Sequence, residues 1–267
     1  MEAKKMAKTL EEKIKLIRSP KRLTTQQVIS QLVTNFFEVH GDRQLGDDPA
    51  VSAGIGLFHA RPVTVLGINR GTNIQQRREV NGGAVRVTGY RKALRVVEAA
   101  EKFNRPVISL LNMPGADASV FSEEHGQSEA IADLILKMGQ LTVPNVALFL
   151  GEGHSGGALA FSNVNQILML ENALFSVASP EAVQAILKNR NQTQDASEFM
   201  PMTAQQLEKI GLVDNIILET PANNLIERID VALSKALDQL RDLDAAQLKK
   251  QRLTKFEKLI EFNKNEQ

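Results

Sequence analysis

Apolar positions repeat at helical spacing at both ends of the chain and alternate between strand-like and helical runs through its middle. Near the N-terminus Leu10, Ile14 and Ile17 share a helical face, as do Val28, Leu32 and Phe36, with Ser19-Pro20 as a break. The pattern predicts a helical arm over residues 1–38. His40-Gly41-Asp42-Arg43 reads as a turn. Val51–Phe58 and residues 62–68 are β-rich apolar runs separated by His59-Ala60-Arg61, a hairpin. A helix over 90–103, with Leu94, Val97 and Ala100 on one side, leads to a strand over 106–111 that ends in Asn112-Met113-Pro114-Gly115-Ala116. Then come a helix over 123–138, a strand over 145–150, a short helix over 157–164 and a strand over Gln166–Leu170. An apolar run at 173–177 closes on Ser179-Pro180-Glu181, a cap residue with proline at the first helical position. From Asn224 a stripe of Leu225, Ile229, Ala232, Ala236, Leu240 and Leu243 predicts a C-terminal helical extension within 222–267. Strand, turn and helix in alternation argue for an α/β domain over 39–221 with a parallel sheet and right-handed crossovers. Ligands of such sheets sit at the carboxyl ends of the strands.

Composition removes several functions from consideration. The chain has 267 residues, 43% hydrophobic and 24% charged, with a net charge of +1, so nothing in the balance asks for nucleic acid or a membrane surface. No cysteine is present, which excludes disulfides, thiolate zinc sites and a cysteine nucleophile. No run approaches the ~18 apolar residues of a membrane span. The charged N-terminus lacks the apolar middle of a signal peptide, so a cytoplasmic location is expected. Lysines and arginines of the arm read as a solvated face, or else a docking arm for another subunit. Residues 69–89 read as a long polar loop carrying Arg70, Arg77, Arg78 and Arg86, placed to meet an anionic ligand or only solvent.

The stretch Thr142–Ser162 concentrates the chemistry: an apolar strand over 145–150, a glycine-rich turn, and a helix. Such a turn points backbone N–H groups at an anion or a transient oxyanion. Three readings compete. Gly151-x-Gly153-x-x-Gly156 matches the dinucleotide fingerprint, with Glu171 at the end of a later strand. Gly153-His154-Ser155-Gly156-Gly157 matches a nucleophile elbow, but none of His40, His59, His125 and His154 follows Ser155 as that chain order requires. The third is an oxyanion hole of backbone amides at Gly156 and Gly157, with Pro114-Gly115-Ala116 as a second turn of the same kind. Each turn also makes sense simply as a tight strand–helix connection.

The series His40-Gly41-Asp42-Arg43, Gly89-Tyr90-Arg91-Lys92-Ala93, Pro114-Gly115-Ala116, Glu123-Glu124-x-Gly126-Gln127-Ser128-Glu129-Ala130-Ile131-Ala132, Gly151-Glu152-Gly153-x-Ser155-Gly156-Gly157-Ala158-Leu159 and Ser179-Pro180-Glu181 resembles the carboxyltransferase alpha subunit of bacterial acetyl-CoA carboxylase. The match runs in order over roughly residues 10–250. It implies a crotonase-like (ClpP/crotonase) ββα superhelix with N- and C-terminal helical extensions. It also implies a cytoplasmic α2β2 heterotetramer whose active sites lie between alpha and beta chains. The beta subunit of that family carries a zinc ribbon and the acyl-CoA side, so no metal is expected on this chain. The alpha chain faces carboxybiotin on the biotin carboxyl carrier protein, and biotin carboxylase uses ATP separately. The implied reaction moves the carboxyl group from carboxybiotin to acetyl-CoA, giving malonyl-CoA for fatty-acid biosynthesis, with the ureido nitrogen of biotin as base. By resemblance Gly156 and Gly157 hold the oxyanion, Gly115 and Ala116 line the same cleft, and Pro114, Gly153, Ser155, Arg86 and Arg91 touch substrate. The chain departs from the family pattern at Asp117-Ala118 (usually Tyr-Pro), Val87-Thr88 (usually Pro-Glu) and His154 (commonly glycine). A paralogue acting on another acyl-CoA, an assembly subunit without chemistry, and a dinucleotide-binding oxidoreductase are the alternatives.

Overall fold

A computed structural model describes residues 8–186, 197, 200–220 and 222–265; residues 1–7 of the expected arm and 266–267 of the expected extension lie outside the described residues. Helices α1 (Leu10–Ile17) and α2 (Thr25–Leu32) each open on a capping box, Thr9 with Glu12 and Thr24 with Gln27. The arm does not stay helical to residue 38, as its periodicity suggests. Thr34–Glu38 is strand β1, antiparallel to β2 (Val51–Phe58). Phe36 lies on Gly54 of β2, where a Cβ would come within 2.6 Å of its ring. Pairing with β2 overrides a spacing that matched a helix by coincidence. Strand β3 (Arg61–Ile68) closes a hairpin through His59-Ala60, both at positive φ (48° and 60°), the twist-matched loop geometry reached here without glycine.

Residues 69–89 are not an open loop. They hold α3 (Ile74–Glu79) and a 3-10 turn (Asn81–Gly83), and α4 (Val87–Lys102) begins inside them. Strand β4 (Val107–Leu111) follows. The single helix expected over 123–138 is two, α5 (Val120–Glu124) and α6 (Gln127–Gln140), parted by Gly126 at φ 86°. Next come β5 (Asn145–Phe149), β6 (Glu152–His154), α7 (Ser155–Ser162), β7 (Gln166–Leu170), β8 (Leu174–Ser176) and α8 (Pro180–Ile186). The remaining elements are α9 (Ala204–Lys209), β9 (Asn215–Ile217), α10 (Leu225–Leu240) and α11 (Ala245–Asn265).

The main sheet has seven strands in the order β1-β2-β3-β4-β5-β7-β9, parallel from β3 onward. Its order never reverses, so the connecting helices α4, α6 and α7 gather together, and α2 with α10 pack elsewhere on the sheet. Strands β4 and β5 are buried at every residue, as a parallel strand covered on both faces must be. A second, two-stranded parallel sheet joins β6 to β8. The units β5–β6–α7 and β7–β8–α8 are two successive ββα turns, as expected.

Both helical ends share the central core. Val28 and Ile29 of α2 and Ile229, Ala232, Leu233, Ala236 and Leu240 of α10 join one cluster with the sheet. Helix α11 is pinned by Arg252, only 1% exposed, which donates to the Asn145 side chain at 3.0 Å, the Asn165 side chain at 2.5 Å and the Gly139 carbonyl at 3.0 Å.

Candidate active site

Two turns leave the carboxyl ends of the neighbouring strands β4 and β5 and meet. The first is Pro114-Gly115-Ala116. Gly115 sits at φ 139°, a conformation an L side chain rarely adopts, and a Cβ there would come no nearer than 4.0 Å to the His154 carbonyl. Ala116 bridges to Val85, and the Asp117 N–H donates to the Val85 carbonyl at 2.9 Å. Gln127, at the start of α6, binds both strands of this bridge through Nε2, to the Val85 carbonyl at 2.8 Å and the Asp117 carbonyl at 3.0 Å.

The second turn passes through β6 into α7. His154 is the N-cap residue but supplies no side-chain cap to the N–H groups of Gly156 and Gly157. Those groups form the first turn of α7, where an α-helix has no acceptors of its own. Ser155 starts the helix at φ 63°, exposed. Gly157 is buried against the first turn: a Cβ would lie 2.6 Å from the Tyr90 hydroxyl, 2.8 Å from the Ala116 nitrogen and 3.2 Å from the Ala116 Cβ. At Gly156 the nearest protein atom would be on Ile131, at 3.7 Å. The uncapped start of α7 therefore packs on the Pro114-Gly115-Ala116 turn at Gly157 and stays open at Gly156, an arrangement suited to holding an oxyanion by backbone donors.

Beneath this space lies a buried carboxylate that periodicity did not reveal. Glu152 is fully buried, ion-paired with Arg18 at 2.9 Å and with Arg70, and 3.2 Å from His154 Nε2. Burial pushes its carboxyl up, but His154, Arg18 and Arg70 outweigh burial and hold it at about 2. The Glu152 backbone ties the turns together, its carbonyl accepting from Met113 at 2.6 Å and its N–H donating to the Asn112 side chain at 3.3 Å. A charged residue set just after the apolar run 145–150 was the available signal, because an acid so placed is buried only when paired. The cations come from afar. Arg18 follows α1 and also pairs with Glu181 at 2.6 Å; Arg22 donates to the Leu150 carbonyl at 2.6 Å and pairs with Glu219. Lys13, 6% exposed, donates to the Glu171 carbonyl at 3.1 Å and to Gln205 at 2.8 Å. A solvated face is thus the wrong reading for Lys13, Arg18 and Arg22, though it describes Lys15, exposed and paired only with Glu11.

The other expected residues divide. Pro114 and Ser155 are exposed at the two turns. Gly153 is buried in β6, where a Cβ would run into the Phe149 ring and lie 3.2 Å from the Ala158 Cβ, so packing accounts for that glycine without a ligand. Arg86 caps α4 through its backbone, its N–H donating to Asp48 at 2.7 Å with the guanidinium 3.5 Å from the same carboxylate. Arg91 donates to the His125 carbonyl at 2.6 Å. Of the loop arginines, Arg70 serves Glu152, Arg77 reaches the Arg18 carbonyl at 3.3 Å, and Arg78 is exposed.

All three departures from the expected pattern have structural partners. Asp117 accepts from Asn81 at 3.0 Å, Ser119 at 2.5 Å and Ser122 at 2.7 Å, holding the turn into α5; burial pushes its carboxyl up, and these donors bring it below the ordinary range. Val87 and Thr88 are buried in the first turn of α4. His154 Nδ1 donates to Ser176 at 2.8 Å, since the Ser176 hydroxyl is itself donated to the Ala178 carbonyl at 2.5 Å.

The competing readings of the glycine turn lose their footing. A dinucleotide crevice forms where strand order reverses, and this order does not reverse. Of the fingerprint glycines, Gly151 is overlaid by the Asn112 amide and Gly153 by Phe149. Ser155 has an elbow-like φ but no histidine: His40 faces Asp47, His59 faces Asp230, His125 faces the Phe121 carbonyl, and His154 faces Ser176 and Glu152.

Comparison with known proteins agrees with the geometry. Residues 2–260 match a family model described as acetyl co-enzyme A carboxylase carboxyltransferase-like. Acetyl-coenzyme A carboxylase carboxyl transferase subunit alpha of Anoxybacillus flavithermus is 43% identical over 263 residues, 96% of this chain and 81% of that protein. The subunit of the same name from Aquifex aeolicus is 41% identical over 259 residues, 94% of this chain and 80% of its own. Among solved structures, transcarboxylase 12S superposes with a TM-score of 0.69 at 18% identity, over 87% of this chain but only 44% of that one. The MdcD-MdcE hetero-dimer of Pseudomonas malonate decarboxylase gives 0.66 at 16% identity, over 84% of this chain and 93% of that one. At such identity the structures speak for the shared fold alone, while the sequence relatives carry the assignment. With two amide-bearing turns meeting at the strand ends and relatives of this closeness, the chain belongs to the acetyl-CoA carboxylase carboxyltransferase alpha-subunit family.

Proposed function

We propose that this chain is the alpha half of a cytoplasmic, biotin-dependent carboxyltransferase that forms malonyl-CoA from acetyl-CoA, working with a zinc-ribbon beta subunit as α2β2. The observation that carries the reading is the uncapped first turn of α7 facing the Pro114-Gly115-Ala116 turn across Gly157. The arrangement fits a ureido oxyanion: its donors are backbone amides, and a Cβ at Gly157 would force the two donor-bearing turns apart. Carboxybiotin, brought by the biotin carboxyl carrier protein after biotin carboxylase has loaded it, supplies the activated carboxyl group.

In this assignment the Gly156 and Gly157 amides stabilise negative charge as it develops on the biotin side, and one lost donor of this kind costs about 10²–10³ in rate. Gly115 and Ala116 form the facing wall. Pro114 and Ser155 lie at the exposed rim, where a carrier-borne group would enter. Glu152, with Arg18, Arg70 and His154, keeps the two turns in register so that the donors need not reorganise during reaction. Arg86 and Arg91 serve mainly to hold α4, and we assign substrate contact first to the turns. The acyl-CoA and the zinc belong to the beta chain, which would cover the exposed apolar face of Val120 and Phe121 beside the first turn.

Biotin-dependent decarboxylation of malonyl-CoA, with free biocytin as acceptor, tests the reading on this chain alone and on its mixture with the beta subunit of the same source. Activity in the mixture only is expected. A stable but inactive mixture would instead favour an assembly subunit or a different acyl-CoA, and no complex would overturn the alpha-subunit role.

A further inference from the structure

Tyr90 is the chain's single tyrosine and one of its most deeply buried side chains, with 0% exposure, yet its hydroxyl has no hydrogen-bond partner among the described residues. A buried hydroxyl without a partner lowers stability, and phenylalanine would avoid that cost at no loss of packing area. The ring is clamped, its centroid 5.4 Å from that of Phe161 on α7. Its oxygen reaches the point where the two catalytic turns touch: the space a Cβ on Gly157 would take is bounded by the Tyr90 hydroxyl at 2.6 Å and the Ala116 nitrogen at 2.8 Å. Burial, and then the charge of Asp48, push the phenol up, so it stays a neutral spacer through the working pH range.

We propose that Tyr90 is a positioning residue for carboxyl transfer: its hydroxyl sets the separation between the α7 amides and the Ala116 turn. The inference rests on the function proposed above. Helix α4 carries the tyrosine, α7 the glycines and the β4 end the alanine, so one oxygen fixes three elements. Without it, Gly157 and Ala116 can close on the vacated volume, and the donors no longer match the oxyanion. Misplacement by about 1 Å can cost about 10²-fold in rate, and loss of one oxygen shifts the turns by less.

The test is Tyr90→Phe in the complex with the beta subunit, assayed for biotin-dependent malonyl-CoA decarboxylation alongside thermal unfolding. The expected result is a fall in kcat of roughly tenfold, with KM for malonyl-CoA unchanged and a melting temperature equal to or above wild type. An unchanged kcat overturns the proposal and makes the hydroxyl a tolerated defect. A melting temperature several degrees lower also overturns it, by showing that the hydroxyl is structural. An inactive wild-type complex removes the proposed function and the Tyr90 role with it, whereas an active wild type beside an undiminished Tyr90→Phe removes the role alone.

Discussion

Two halves of one short stretch contain glycine for different reasons. At Gly151 and Gly153 the position of a Cβ is already taken, by the Asn112 amide and the Phe149 ring. At Gly156 it meets only Ile131, at an ordinary 3.7 Å, and at Gly157 it is taken by the facing turn itself, the Ala116 nitrogen at 2.8 Å and the Tyr90 hydroxyl at 2.6 Å. The first pair lets strands and side chains pack beneath the site. The second lets the two turns touch at Gly157 and leaves space beside the uncapped start of α7 at Gly156. A motif that spans both pairs, as the dinucleotide fingerprint does, mixes packing with binding. Only the neighbours of each glycine separate the two.

The contrast can be broken first from below. Replacing Glu152 by glutamine leaves Arg18 and Arg70 facing a neutral group, and removing one partner of a buried ion pair costs about 3–5 kcal/mol. Chemical denaturation should show that loss for Glu152→Gln; a change under about 1 kcal/mol, the scale of a surface pair, would mean that the cluster does not hold the turns. Acid gives the same test without mutation. The Glu152 pKa lies below its ordinary 4.5, at about 2, so its stabilisation is complete above 4.5 and is lost as pH falls toward 2. The difference in melting temperature between wild type and Glu152→Gln should therefore shrink across that window.

The next largest effect is on rate. Gly157→Val drives a side chain against Ala116 and should lower carboxyl transfer by about 10²–10³ as the donors are pushed out of place, while the complex with the beta subunit still forms. Full activity would remove the oxyanion assignment. The smallest effect sharpens the contrast most: Gly153→Ala presses on Phe149 and should cost about 1–3 kcal/mol of stability, with transfer per folded molecule little changed. A loss of transfer as large as that of Gly157→Val would return Gly153 to the binding surface.

Much of the architecture was readable from the chain because its signals are local. The hairpin strands, the strand before each special turn, the proline-started helix after Ser179 and the apolar stripe from Leu225 to Leu243 all follow from spacing and from glycine or proline chemistry. The failures came where a long-range partner overrode a local pattern. Phe36 continued a helical stripe but pairs through β1 with β2, and Gly126 cuts what looked like one helix because only the fold sets its φ.

Sequence alone marked the two turns as the candidate site in a chain without cysteine, and identified the family through motifs in fixed order. Tertiary structure alone decided which glycines are closed by their neighbours and which stay open, and that Arg18, distant in the chain, pairs with Glu152. It also placed a Tyr90 hydroxyl with no partner among the described residues against Gly157, where α7 meets the Ala116 turn. The reason is physical. Backbone geometry and amphipathic period depend on a few adjacent residues, whereas burial, ion pairing and the filling of an empty Cβ position depend on atoms that only folding brings together.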